Sequence, residues 1–173
     1  MCSRCRGGAG QLASSVRRHA DDADRRGRAK GVTRLILCSG KVYVDLIGHE
    51  RREPATEVAI CRVEQLYPFP NVALAEVIAG YPSLKELVWL QEEPENMGAW
   101  EFARPCLEEM LSGRIPLRYI GRPRSASPSE GSSAWHQLTQ KALIDRAFEP
   151  RGGDEQAARP GPREVRSLTG SKR

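Results

Sequence analysis

Short runs of consecutive apolar residues recur through the middle of the chain, separated by segments whose apolar residues follow helical spacing. Strands that are buried on both faces show such uninterrupted runs, whereas strands with one wet face alternate between apolar and polar residues. We therefore predict four buried strands, at residues 34–38, 57–63, 84–90 and 117–120.

Apolar residues at helical spacing predict a helix after each of these strands. The first helix carries Val42 and Leu46, and the second begins at Asn71, a residue type that favours the N-cap position. The third covers residues 99–111 and the fourth covers residues 135–148. The apolar faces of the second and fourth helices are expected to contain Val72, Ala75, Val77 and Ile78, and Leu138, Ala142, Leu143 and Ala147, respectively.

Three successive strand–helix–strand units indicate one α/β domain. Helices of this length connect parallel strands by crossing a face of the sheet, so both faces become covered. Within the third helix, Pro105 is expected to cause a kink or a break, because proline cannot donate the helical hydrogen bond. We predict a three-layer α/β/α fold with a mainly parallel sheet of four to five strands.

Charge is distributed unevenly along the 173 residues. Residues 1–31 carry eight Lys or Arg against three Asp, and residues 150–173 carry six against three acids, whereas residues 32–149 carry 13 basic and 16 acidic residues. The two terminal segments also contain few large apolar residues, so neither can offset the entropy lost on ordering. We predict one folded domain at 32–149, between a disordered basic tail at 1–31 and a second disordered tail at 150–173.

This distribution argues against several classes of function. The folded middle is mildly acidic, which disfavours nucleic-acid binding, and no apolar run approaches the roughly 18–20 residues of a membrane span. Cys2 and Cys5 form a C-x-x-C pair, but no second pair stands at zinc-binding spacing, so no metal site is predicted. Five cysteines without a secretion signal fit a reducing cytoplasm.

Polar residues follow three of the predicted strands, at the sheet edge where α/β proteins carry their functional groups. They are Ser-Gly-Lys at 39–41, Arg-Val-Glu-Gln at 62–65 and Gln-Glu-Glu at 91–93. The turn at 39–41 lacks the pattern of a Walker or dinucleotide-binding loop, so an ordinary tight turn is favoured over a phosphate site.

The carboxylates at 91–95 do not predict catalysis. Glu92 and Glu93 are adjacent in a strand, so their side chains point to opposite faces and cannot easily share a proton or a metal ion. Glu95 is expected near the start of the next helix, where the helix dipole favours a carboxylate. We therefore predict a structural or docking loop here, with no catalytic residue.

Four motifs, in order, carry a resemblance to a known family. They are L-I-L-C-S-G-K-V-Y-V-D-L, V-A-I-C-R-V-E-Q-L-Y-P-F-P, L-V-W-L-Q-E-E-P-E-N-M-G-A-W, and Y-I-G-R-P-R-S-A-S-P-S-E-G with a following His136. Over residues 30–149 the chain resembles the C-terminal domain of the first, decarboxylating component of the 2-oxoglutarate dehydrogenase complex. The two tails resemble nothing in that family. The resemblance implies a fold similar to the C-terminal domain of transketolases.

The resemblance also implies a thiamine-diphosphate enzyme of the citric acid cycle, which decarboxylates 2-oxoglutarate and passes the succinyl group to the dihydrolipoyl succinyltransferase component. In that family the cofactor, its magnesium ion and the proton-shuttling histidines belong to preceding domains, and the C-terminal domain braces the dimer. We therefore expect a fragment of a longer bacterial, cytoplasmic chain, which packs against other domains and a second subunit and is inactive alone.

The same resemblance implies one effector site. In the actinobacterial branch, acetyl-CoA binds partly on this domain, through a glutamine that matches Gln65 and two arginines whose places Val72 and Ala73 occupy here. Loss of two charge-assisted contacts, at roughly 1.5–3 kcal/mol each, would weaken such a site strongly. The preferred interpretation is that Gln65 hydrogen-bonds a loop backbone.

Two further expectations concern surfaces. In the parent enzyme Trp89, Trp100 and Trp135 are expected to lie partly at interdomain or subunit contacts, so the domain alone would expose an apolar patch. The alternative to a fragment is a stand-alone module that binds an anion, CoA or another protein.

Overall fold

The computed structural model of the chain describes residues 16–18 and 29–149, and of residues 16–18 it describes the backbone alone. The strands are β1 (Val16–Arg18), β2 (Arg34–Cys38), β3 (Val58–Val63), β4 (Glu86–Pro94) and β5 (Leu117–Arg122). The helices are α1 (Val42–Ile47), α2 (Asn71–Ala79), α3 (Trp100–Leu111) and α4 (Ser133–Phe148), with a 3₁₀ turn at Glu50–Arg52.

The strands form one sheet in the order β1-β3-β2-β4-β5. β2 pairs in parallel with both β3 and β4, and β4 pairs in parallel with β5. β1 is antiparallel to β3 at the far edge. The chain first adds β3 on one side of β2 and then β4 on the other, so the connections reverse direction between β2 and β4. Such a reversal opens a crevice at the carboxyl ends of the strands.

One face of the sheet packs against α2 and α3. The long apolar runs of β2 and β4 place Leu37 and Trp89 on this face, against residues of the two helices such as Leu74 and Leu107. All four of these side chains are fully buried. Burial of this apolar area, at about 25 cal/mol per Å², is the main term that holds the layer in place.

The opposite face packs against α1 and the second half of α4. Ile36, Val88 and Ile120 alternate with the residues of the first face, as the period of two along a strand requires, and they contact Leu46 of α1 and Ile144 of α4. With helices on both faces, the predicted three-layer α/β/α fold and its mainly parallel sheet are confirmed.

Several predicted boundaries and faces are wrong. β4 continues to Pro94, four residues beyond the prediction. α3 begins at Trp100 and runs through Pro105 without a break, because that proline is exposed while Ala103 and Leu107 hold the helix on the core. α2 starts after Pro70, so Asn71 is its first residue and not its N-cap.

The predicted apolar faces of α2 and α4 are partly wrong. In α2 the buried residues are Ala73, Leu74 and Val77, whereas Val72 is half exposed. In α4 the buried residues are Leu143, Ile144, Ala147 and Phe148. Leu138, predicted to be part of that face, is 63% exposed.

The prediction of a disordered segment through residue 31 needs a correction where the structure describes that segment. Val16–Arg18 pairs with β3 in register, and Ala29 packs against the core beside α2 and α3. An edge strand of three residues depends on its partner strand and leaves little signal in its own sequence. The rest of 1–31 and all of 150–173 lie outside the described residues, as does the C-x-x-C pair, so the two outer boundaries stay predictions.

Only one of the three tryptophans is exposed. Trp89 is fully buried and Trp100 is 6% exposed, both within the domain, so the prediction that they reach an interdomain surface is wrong. Trp135, near the start of α4, is 59% exposed. In residues 29–149 no helix has the length and apolar composition that crossing a membrane would need.

Candidate functional site at the carboxyl ends of the strands

The candidate site is the crevice between β2 and β4 together with the loops around it. The turn at 39–41 follows β2 on one side, and residues 91–93 end β4 on the other. Between Leu90 and Pro94 the pairing of β4 with β5 shifts register, so this part of β4 holds extra residues relative to its neighbour. A bulge of this kind redirects the side chains that follow it.

Gln91 organises the end of β4 from inside the protein. Its side chain is 1% exposed. The carbonyl oxygen Oε1 accepts from Trp89 Nε1 at 3.1 Å and from the backbone amide of Trp100 at 3.0 Å. The amide Nε2 donates to the carbonyls of Met97 and Pro94, at 2.7 and 3.1 Å. One side chain therefore fixes β4, the loop after it and the start of α3.

Glu92 and Glu93 lie on opposite sides of β4. The Glu92 carboxylate accepts from Gln140 Nε2 of α4 at 3.2 Å. The Glu93 carboxylate lies on the α3 side, where a methyl group added to Gly98 would come within 3.1 Å of it. The two carboxylates therefore do not form an acid–base pair. Glu95 is also away from the helix start, since four residues lie between it and Trp100.

A hydrogen-bonded chain crosses the crevice. Gln140 Nε2 donates to Asp45 Oδ2 of α1 at 2.9 Å as well as to Glu92. Lys41 Nζ in turn contacts both Asp45 oxygens, at 2.7 and 2.9 Å. Burial raises the pKa of Asp45, but the hydrogen bonds from Lys41 and Gln140 outweigh it, so the pKa lies below its ordinary value. Gln140 thus fills the crevice and joins α1, β4 and α4.

The loop after β5 is attached at two places. Asn96 and Ser125 exchange two hydrogen bonds, with Asn96 Nδ2 donating to the Ser125 carbonyl at 2.9 Å and the Ser125 amide donating to Asn96 Oδ1 at 3.0 Å. Arg122 Nη1 donates to the Pro128 carbonyl at 2.8 Å. These bonds hold the loop against the end of β4 and lead the chain to the N-cap of α4, Ser132.

Glu130 is the most buried charge of that loop. Its carboxylate, 6% exposed, lies 3.4 Å from Arg122 Nε and 2.8 Å from His136 Nδ1. Burial raises its pKa, yet hydrogen bonds from His136 and Thr139 and the charge of Arg122 hold the pKa below its ordinary value. We call Arg122, Glu130 and His136 the loop clasp. Together with residues 92–94 of β4, it lines an open cleft of about 580 Å³.

These residues do not fit thiamine diphosphate or its magnesium ion. A diphosphate requires free cationic or amide donors, but the lysine of the turn at 39–41 is paired with Asp45, and Arg122, which lines the cleft with Glu92 and Glu130, is paired with Glu130. Within residues 29–149 no group of three His, Cys, Asp or Glu side chains is arranged to hold a metal ion. The thiols of Cys38 and Cys61 are buried, and burial raises the pKa of the Cys38 thiol.

Gln65, the candidate effector residue, is half buried in the loop between β3 and α2. Its Nε2 donates to the Tyr67 carbonyl at 3.2 Å, which is the loop-backbone contact that the preferred interpretation expects. Ala73, one of the two residues in the places of the family's arginines, is buried in the core. Effector binding at Gln65 stays a prediction, with the described surroundings favouring a structural role.

Sequence reasoning missed the loop clasp and the bridge made by Gln140. Arg122 and Glu130 lie in the motif Y-I-G-R-P-R-S-A-S-P-S-E-G, and His136 follows it. Their pairing could not be predicted, because residue spacing in a loop of Ser, Pro and Gly does not indicate which side chains form an ion pair. Gln140 is separated from Asp45 by 95 residues, and only the fold brings them together.

Comparison with known proteins identifies the family. The family model for the 2-oxoglutarate dehydrogenase C-terminal region matches residues 12–148. The chain belongs to that family. The match begins well before residue 30, so the expectation that the first tail resembles nothing in the family is wrong for residues 12–29.

Curated relatives named 2-oxoglutarate dehydrogenase E1 component agree with this family. The protein of Cupriavidus necator is 47% identical over 120 residues, which are 69% of this chain and 13% of the relative. The Azotobacter vinelandii protein is 46% identical over 122 residues, and the Bacillus subtilis protein is 46% identical over 115. This chain therefore matches only 12–13% of the length of these E1 components.

Proposed function

We propose that this 2-oxoglutarate dehydrogenase C-terminal domain is a structural part of an E1 component and carries none of its catalytic groups. Its task is to pack against other domains and a second subunit and so to brace the enzyme. The strongest support is that the polar groups at the strand ends form their bonds within the domain itself. Gln91, Glu92 and Glu130 each bond to other elements of the domain, where an enzyme of this fold would hold its ligand.

The activity that we propose for the whole E1 component is taken from the names of the relatives. We propose that the complete enzyme decarboxylates 2-oxoglutarate in the citric acid cycle, with thiamine diphosphate and magnesium bound in other domains. It would transfer the succinyl group to the dihydrolipoyl succinyltransferase component, in the bacterial cytoplasm. This chain contributes no proton-transferring or cofactor-binding group to that reaction, and its role is to hold the other domains in position.

A domain exchange tests this proposal. The 120 aligned residues of the Cupriavidus necator E1 component are replaced by those of this chain, and 2-oxoglutarate-dependent ferricyanide reduction is measured with thiamine diphosphate and magnesium. We expect the chimera to assemble and turn over, and the 173-residue chain alone to do neither. A chimera that folds without activity, or turnover by the chain alone, would overturn the proposal.

A further inference from the structure

A small pocket lies where α2 and α3 end, on the layer that covers one face of the sheet. Both helices run back from the carboxyl ends of the strands, so they end near the amino edge of the sheet. After α3, Ser112 and Gly113 both have positive φ and turn the chain so that Arg114 and Ile115 reach the pocket. Its volume is about 290 Å³. The pocket is therefore separate from the crevice and from the loop clasp.

Most of the pocket wall is apolar. Ile78 of α2, Met110 of α3 and Ile115 are partly buried against the core, and all three also line the pocket. Ala75 and Ala79 lie one turn apart on α2 and contribute only methyl groups to the wall, which leaves room between the helices. Small-molecule sites have mainly apolar walls and a small number of polar groups that orient the ligand. The wall therefore suits a ligand with an apolar body.

Arg114 is the one charged residue among those that line the pocket. Its Nε donates to the Leu111 carbonyl at 3.5 Å, and within residues 29–149 its two terminal nitrogens bond to no carboxylate. Arg104 of α3 is different, because its guanidinium is paired with Glu108 at 2.8 Å. Arg114 therefore brings an unpaired positive charge to an otherwise uncharged pocket.

The ends of α2 and α3 do not use the terminal nitrogens of Arg114 as caps. A cation near a helix C-terminus commonly interacts with the last carbonyl groups. Here the amides of Gly80 and Tyr81 donate to carbonyls in the last turn of α2. The amide and the hydroxyl of Ser112 donate to carbonyls in the last turn of α3. Because other donors satisfy these carbonyls, the terminal nitrogens of Arg114 stay available to a ligand.

We propose that this pocket binds a small amphipathic carboxylate, with its apolar body between α2 and α3 and its carboxylate on Arg114. The guanidinium fork matches the two oxygens of a carboxylate. At roughly 30 Å³ for each non-hydrogen atom, the pocket holds a ligand of about ten such atoms. The inference goes beyond the proposed function and does not depend on other domains. The site also lies at the opposite end of α2 from Val72 and Ala73, so it is separate from the effector position considered above.

A titration with 3-phenylpropionate tests the site, and uncharged 3-phenylpropanamide is the matched probe. Two-dimensional NMR of the 173-residue chain at neutral pH follows the backbone signals during each titration. We expect 3-phenylpropionate to bind with a Kd of about 1 mM or lower and to shift the signals of residues 75–82 and 110–115. The uncharged probe should bind about tenfold more weakly, because it cannot form the charge-assisted pair. Equal binding of the two probes, or shifts confined to other residues, would overturn the proposal.

Two substitutions separate the charged and the apolar part of the pocket. Arg114→Gln should weaken binding of 3-phenylpropionate about tenfold and leave binding of 3-phenylpropanamide unchanged, so that the two probes bind alike. Ala79→Leu fills the space between the helices and should weaken both probes at least about tenfold. Ala79 is exposed and leucine favours a helix, so the fold should be kept. Arg104→Gln and Val72→Leu, on the same two helices but outside the pocket, are the controls and should change neither probe.

The pair of probes decides each outcome. A preference for the carboxylate that persists in Arg114→Gln would overturn the role of this arginine and with it the proposal. Unchanged binding of both probes by a folded Ala79→Leu variant, or equal losses in the two controls, would also overturn it. If Ala79→Leu lowers the melting temperature of the chain, Arg114→Gln still decides, because it leaves the apolar wall intact. Loss of the preference for the carboxylate in Arg114→Gln, with both controls unchanged, would support the site.

Discussion

The two halves of α4 are one continuous helix with opposite relations to the rest of the domain. The second half packs on the same face of the sheet as α1, and the side chains of Leu143, Ile144 and Ala147 are nearly inaccessible. The first half carries Trp135 and Leu138 on its exposed face and contacts the domain through hydrogen bonds. The same helix is therefore packed in the core of this domain at one end and exposed on one face at the other.

This difference separates the part of α4 that the fold of the domain requires from the part that stays exposed. Core packing and a buried ion pair hold the second half. The first half is positioned by the loop clasp and by Gln140, at the carboxyl ends of the strands, where enzymes of similar architecture bind ligands. In this domain, polar contacts at that edge orient the first half of α4.

The largest loss of stability is expected at the buried ion pair that contacts the second half of α4. Arg34 Nε donates to Glu86 Oε2 at 2.6 Å, and Arg34 Nη1 donates to the carbonyls of Ala147 and Glu149 at 3.0 and 2.5 Å. Arg34→Ala leaves the buried Glu86 carboxylate with only the longer contact to Arg118 Nη1, at 3.6 Å, and releases the end of the helix, so the free energy of unfolding should fall by about 3 kcal/mol. Urea denaturation measures the change.

Lys41→Ala is the matched control, because it removes an ion pair with Asp45 whose lysine is exposed. Exposed pairs at this helical spacing contribute about 0.3–0.5 kcal/mol. If Arg34→Ala and Lys41→Ala cost the same, the buried pair would not anchor the helix.

The next largest effect on stability comes from replacing leucine by alanine, once in each half of α4. Leu143→Ala removes a side chain that is 3% exposed, and we expect a loss of about 2–5 kcal/mol in the free energy of unfolding. Leu138→Ala removes a side chain that is 63% exposed, and the change should stay within about 0.5 kcal/mol. Comparable losses in thermal or urea unfolding would mean that Leu138 already packs within the domain.

A smaller effect is expected at the loop clasp. Glu130→Gln keeps the size of the side chain but removes the charge that faces Arg122 and His136, so stability at neutral pH should fall by about 1–3 kcal/mol. The pKa of Glu130 is held below its ordinary value of 4.5 in the folded protein. The stabilisation is therefore present above pH 4.5 and is lost as the pH falls through the lower, folded-state pKa.

The difference between Glu130→Gln and the original chain should accordingly be constant from neutral pH to about the ordinary carboxyl pKa and should shrink below it. Unfolding curves at several pH values measure this profile. A deficit that is independent of pH down to strongly acidic conditions would show that the charge of Glu130 does not hold the loop.

The architecture was predictable from sequence because the buried strands produce uninterrupted apolar runs that only a sheet covered on both faces explains. Boundaries were less accurate where tertiary contacts decide them. β4 extends to Pro94 because Gln91 and a register shift continue the strand beyond its apolar run. Pro105 remains inside α3 because its ring faces outward while the opposite side of the helix is anchored in the core.

The face of α4 could not be assigned from sequence for a physical reason. Apolar residues occur on both of its sides, so periodicity alone does not say whether Leu138 or Ile144 faces the sheet. The polar network at the strand ends was also out of reach, since it joins Asp45, Glu92 and Gln140 from three distant segments. The opposite orientations of Glu92 and Glu93, in contrast, follow directly from the alternation along a strand.

Hydrogen exchange of the α4 amides is the most direct test of the division between its halves. In the 173-residue chain, the amides of residues 143–148 should be protected nearly to the global free energy of unfolding, and those of residues 136–141 should open much more readily. Equal protection of residues 136–141 and residues 143–148 in this chain would contradict the division.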